Sequence, residues 1–105
     1  MSPSANIDSY YYSLVKPVEG KPYKEIDLGG DKFLRIFPED TPEESLKWHW
    51  DEEYREVYPL NSSNWQFQFD NKLPQPINNV IKIPEGEFHR VIKGTGELMI
   101  LIYKH

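Results

Sequence analysis

An all-β domain, built as an antiparallel sandwich or barrel, is what this sequence predicts. Three observations carry it. Short runs alternate apolar and polar residues at period two, as in 46–51 and 65–70. Nine prolines and several glycine-bearing turns break the chain at short intervals. Aromatic residues make up 14% of the chain, favouring strands, and no long helical pattern appears.

Residues 1–22 read as an irregular N-terminal arm, followed by one domain over 23–105. Tyr10-Tyr11-Tyr12 suits a short edge strand or a segment packed over a sheet. Residues 24–28 alternate and end at the turn Gly29-Gly30-Asp31. Lys32–Phe37 reads as a strand stopped by Pro38. Thr41-Pro42-Glu43-Glu44 offers a capping residue, a first-position proline and early acids, enough for one helical turn.

The run 46–51 reads as a strand with Leu46, Trp48 and Trp50 on one face and Lys47, His49 and Asp51 on the other. Residues 55–60 form another, which Pro59 pushes towards an edge or bulge. In 65–70, Trp65, Phe67 and Phe69 oppose Gln66, Gln68 and Asp70. Residues 71–79 form a loop, and 80–83, 88–93 and 97–103 are the last strands. The turns between these fall at Pro84-Glu85-Gly86 and at Gly94-Thr95-Gly96, the latter read as a hairpin.

The chain has 105 residues, enough for one domain with a modest core. A net charge of -5 without any lysine or arginine run argues against nucleic-acid and membrane partners. The absence of cysteine excludes disulfides, thiolate metal sites and cysteine nucleophiles. No signal pattern opens the chain, and the longest apolar run, 98–102, is too short for a bilayer. A cytoplasmic setting is the expectation.

Two stretches carry chemistry: His49-Trp50-Asp51, and Pro84 to His89. An H-x-D on a strand puts both side chains on one face. A histidine from a later strand then completes a set of two imidazoles and one carboxylate, suited to a divalent metal. The bland reading of the same residues is a metal-free group of hydrogen-bonded polar side chains, with Asp51 paired to Arg55 or Lys47.

These stretches resemble the motifs of the cupin superfamily, small double-stranded β-helix (jelly-roll) barrels. Pro84-Glu85-Gly86-Glu87-Phe88-His89 matches P-x-G-x2-H, although Asn78 and Lys93 replace the second motif's outer glycine and asparagine. His49-Trp50-Asp51, then Glu56, follows the first motif, with Asp51 where most metal cupins have histidine and without its closing glycine. More narrowly, the H-x-D-x-E-x-R run, the W-Q-x-Q-x-D strand and the H-R-V-I-K-G ending resemble small cupin-like proteins often encoded by tailed phages. The likeness covers roughly residues 32–103.

It implies a jelly-roll fold and a metal site of His49, Asp51 and His89, with Glu56 aligned to the family's carboxylate ligand. Fe, Mn, Ni or Zn are the metals implied, with none if the site is degenerate. The function expected is a metal-dependent dioxygenase or isomerase acting on a small polar or anionic molecule. The alternative is a metal-free binding or interaction module without enzyme activity.

With His49 and Asp51 facing inward, Gln66 and Gln68 are expected to line the pocket. The reverse, with the aromatics inside and the glutamines solvated, stays open. Arg35 and Arg55 are candidates for an anionic group, Arg90 should point away from the metal side, and His105 reads as a free tail. A face of Trp48, Trp50, Phe67 and Phe69 is too apolar for water and calls for a second sheet layer, the N-terminal arm or a dimer partner; with the habit of cupins this gives a homodimer as the expectation.

Overall fold

The computed structural model describes residues 9–105; the first eight residues of the expected arm lie outside these. In chain order the strands are β1 (Lys16–Pro17), β2 (Lys24–Gly29), β3 (Lys32–Phe37), β4 (Arg55–Pro59), β5 (Gln66–Phe69), β6 (Gln75–Pro76), β7 (Ile81–Ile83), β8 (His89–Ile92) and β9 (Leu98–Lys104). They form two antiparallel sheets. One has the order β1-β2-β3-β9-β4-β7, the other β6-β5-β8. No described helix is long and apolar enough to cross a membrane.

Most expected strands appear close to their predicted bounds. Tyr10-Tyr11-Tyr12 instead lies in a single helical turn, Ser9–Tyr12. The arm also contributes to the barrel: β1 pairs with β2, and Gly20, Lys21 and Pro22 border the internal cavity. The expected turn after Pro38 is a 3-10 turn, Glu43–Ser45, entered from Pro42. Thr41 is turned inward, its hydroxyl donating to the Pro38 carbonyl at 2.7 Å. Pro59 sits in a central strand without a lost bond, because β7 pairs with β4 only from Arg55 to Val57.

The run 46–51 is not a strand. It holds one bridge, His49 with His89. The turn after Pro84 occupies the place where a ladder would continue, and the Gly86 N–H donates to the Asp51 carbonyl at 2.8 Å.

The core lies between the sheets, and its placement settles the facing of β5. Trp65 is fully buried and Phe67 nearly so, packed with Phe37, Val57, Ile77, Ile100 and Ile102. The aromatics fill the barrel, so the expectation that Gln66 and Gln68 line the pocket is reversed. Burying a tryptophan and a phenylalanine, with Phe69 partly covered, removes far more apolar area from water than burying two amides, which would each need partners. Gln68 points outward and bonds the Lys72 carbonyl and the Arg90 guanidinium, both at 2.9 Å.

Gly94-Thr95-Gly96 is not a hairpin either. It carries the chain from β8 in the small sheet to β9 in the large one. The Asn64 side chain clamps this corner by accepting from the Thr95 N–H at 2.7 Å. A Cβ on Gly94 would collide with that side chain and stand 2.6 Å from the Trp65 nitrogen. Gly94→Ala should therefore destabilise the fold by about 1–3 kcal/mol, as over-packing does, read from the urea midpoint. An unchanged midpoint would show that the corner has slack.

Candidate metal centre and cavity

His49 and His89 exchange both backbone hydrogen bonds, His49 N–H to His89 O at 3.0 Å and the reverse at 2.9 Å. Their rings stand 4.3 Å apart by centroids. His89 is buried and stacks on Phe67 at 5.3 Å, whereas His49 lies at the open mouth. With Asp51 fixed by Gly86, one ligand atom from each of the three residues falls within 4.8 Å of the others.

Each imidazole is held in a defined way. His49 Nδ1 lies 3.0 Å from the Lys47 carbonyl, and His89 Nδ1 lies 2.8 Å from the Glu87 carbonyl. A carbonyl only accepts, so Nδ1 carries the proton in both rings. In the neutral ring Nε2 then bears a lone pair. Such an Nδ1–H to carbonyl bond is the usual support behind a metal-binding histidine.

His89 Nε2 is 3.3 Å from Asp51 Oδ2. Oδ2 is buried and lacks a hydrogen bond, so the two atoms are close without being aligned as donor and acceptor. A lone pair facing a carboxylate oxygen is unfavourable unless a cation lies between them or a second proton sits on the ring. Donors on one first-row ion at about 2.1 Å stand roughly 3.0–4.2 Å apart, so this pair already has ligand spacing. Two imidazoles and a carboxylate are a donor set suited to a divalent metal, and the remaining pairs lie within 4.8 Å.

The protein around the His49 ring, which solvent still reaches, lowers its pKa below the ordinary histidine value. Burial works to raise that of Asp51, but the His89 ring, acting through a proton on Nε2, and the Arg55 guanidinium outweigh it and hold the carboxyl below its ordinary value. The His49 shift favours the neutral, ligating imidazole, whereas the Asp51 shift belongs equally to a closed group in which His89 is charged.

The other expected site residues divide. Arg55 touches Asp51 at 3.3 Å and Glu53 at 2.8 Å, so the salt bridge weighed for Asp51 is present alongside the metal geometry. Arg35 is buried, pairs with Glu25 at 2.6 Å and lies over the Tyr23 ring at 3.8 Å. Both arginines line the cavity, which measures about 740 Å³.

Glu56, the residue aligned with the family's carboxylate ligand, is not with the triad. Strand alternation turns Arg55 and Val57 to the cavity and Glu56 to the other side. There it accepts from the Tyr54 and Tyr58 hydroxyls, both at 3.2 Å. His105 is not a free tail: its N–H donates to the Tyr54 carbonyl at 2.8 Å and its ring stacks near Tyr54 and Tyr103. Arg90 points away from the triad, as expected, and lies over the Trp48 ring at 4.7 Å. Lys104 lines the cavity without having been singled out. Continuing the β9 alternation from Leu98, Ile100 and Ile102 would have found it.

This architecture is that of the cupins, the double-stranded β-helix proteins. Among solved structures, the chain resembles a cupin-2 domain protein from Shewanella frigidimarina at a TM-score of 0.59 and 17% identity, over 94% of this chain and 93% of that one. It resembles the DMSP lyase DddQ from Ruegeria pomeroyi at 0.59 and 14% identity, over 70% of this chain. It resembles FeII HppE at 0.56 and 15% identity, over 79% of this chain. The chain spans only 36% of the lyase and 48% of HppE. No protein-family model and no curated protein matches the sequence.

Proposed function

We propose that this chain binds a divalent metal, Fe, Mn, Ni or Zn, through His49, Asp51 and His89. A small polar or anionic molecule would bind beside it in the cavity, for dioxygenase or isomerase chemistry. The observation that carries the reading is the unaligned pair His89 Nε2 and Asp51 Oδ2 at 3.3 Å, with the imidazole proton already committed to Nδ1. Likeness in fold to FeII HppE supports it as analogy.

A bound ion would supply Lewis acidity and, for iron or manganese, a redox centre. The chain's own residues do the rest. His89 anchors the site from the buried side and His49 faces the mouth, leaving the cavity side of the triad open to a ligand. Arg55, held by Glu53, steadies Asp51. The apolar floor excludes water from the far side.

The second reading is a metal-free binding module. The Asp51–Arg55 contact favours it, since a protonated His89 would complete a closed group of charges. In either case the homodimer would use the exposed aromatic residues. Trp48, Trp50 and Phe88 remain exposed, whereas Trp65 and Phe67 belong to the core.

Elemental analysis of untagged protein should find a single divalent ion per chain, lost in His49→Ala and in His89→Ala. Unchanged stoichiometry in both variants, or no metal in the native protein, would remove the metal reading.

A further inference from the structure

The chain is acidic overall, at a net charge of -5, yet its cavity is the reverse. Lys21, Arg35, Lys47, Arg55 and Lys104 line it, against only two carboxylates, Glu25 and Asp51. Even with Glu53 counted against Arg55, cations are in excess, and a metal would add to it. A concave site lined by one sign of charge within low-dielectric walls concentrates the opposite ion.

The cations are also arranged for use. Arg35 engages Glu25 through Nε and Nη2, and Arg55 engages Glu53 through the same two atoms. In each, Nη1 keeps no acceptor among the described residues. Lys104 has no carboxylate partner there either; its ammonium lies over the Phe33 ring at 4.3 Å. Burial, followed by repulsion from Arg55 and Arg35, lowers its pKa. Below these groups the lining is apolar, with Phe37, Val57, Phe67, Ile100 and Ile102.

We infer that the cavity is selective for a small organic carboxylate with an apolar body, its charged end met by Arg35, Arg55 and Lys104. Guanidinium and ammonium groups that keep a free donor suit the oxygens of a carboxylate. The inference sharpens the ligand class in the reading above, and the cation excess it uses stands without the metal.

The test is calorimetric titration of the full chain with benzoate and with its neutral isostere benzamide, with and without a chelator. Benzoate should bind at least about tenfold more tightly than benzamide, the worth of one charge-assisted hydrogen bond. Raised salt should narrow the gap. Arg35→Gln and Lys104→Met should each cost benzoate roughly tenfold and leave benzamide unchanged. Lys104→Met carries the test alone if loss of the Glu25 partner unfolds Arg35→Gln.

Equal affinity for the two probes, or unchanged benzoate affinity in Lys104→Met, would overturn the inference. His49→Ala should keep the preference for benzoate. Protein that binds benzoate but no metal therefore sinks only the metal reading. Protein that binds metal but does not prefer benzoate sinks only this one.

Discussion

Asp51→Asn should weaken metal binding by more than the roughly 10–100-fold that follows loss of an outer-shell partner. The change keeps the shape of the side chain and removes its charge. In the metal-free protein the same substitution should be nearly neutral, within about 1 kcal/mol. An amide can donate to the His89 Nε2 lone pair, which the carboxylate opposes at 3.3 Å. Arg55 loses one partner but keeps Glu53 at 2.8 Å. Metal affinity would be read by competition with a chelating dye, and stability by urea unfolding in chelator. The metal-free reading requires the opposite pattern: unaltered metal behaviour, and a loss of about 3–5 kcal/mol as a buried charge pair is broken.

That the two readings of Asp51 divide so sharply follows from what period-two reasoning can see. It placed His49 and Asp51 on one side of the chain, and both line the cavity. It gave the bounds of Lys32–Phe37 and the turn before His89. It cannot say which face of a strand is inside, because alternation is symmetric under reversal. The facing of Gln66 and Gln68 was reversed for that reason, and apolar area decided it.

Glu56 shows a second limit. Its place five residues after Asp51 put it on the opposite parity, and the resemblance alone moved it into the site. The segment 46–51 alternates like a strand, yet it is held by one bridge and one glycine N–H. Its sequence records the facing of His49 and Asp51 against the exposed Trp48 and Trp50, but not that of Leu46, which lines the cavity with the first two, nor whether a partner strand lies alongside. The cation excess was hidden as well. Lys21, Lys47 and Lys104 are far apart in sequence and meet only once both sheets are closed.

Trp65→Ala should have the largest effect on the fold, about 3–5 kcal/mol, against a total stability of about 5–15 kcal/mol for a domain of this kind. Trp65 is fully buried, its ring 5.7 Å from that of Phe37, and its indole N–H donates to the Gly96 carbonyl at 3.1 Å. The residue therefore fills the core and ties down the corner joining β8 to β9. Thermal unfolding should fall by roughly 15 °C or more. Trp65→Phe keeps most of the packing and gives up the hydrogen bond, so it should lose about 1 kcal/mol beyond the volume change. A fall of less than about 0.5 kcal/mol in Trp65→Ala, the range of a surface change, would contradict this account of the core. His89 begins the strand that runs into this corner, so metal release from Trp65→Ala should track unfolding on heating. Release well below the unfolding temperature would mean that the site is held by the 84–89 turn alone.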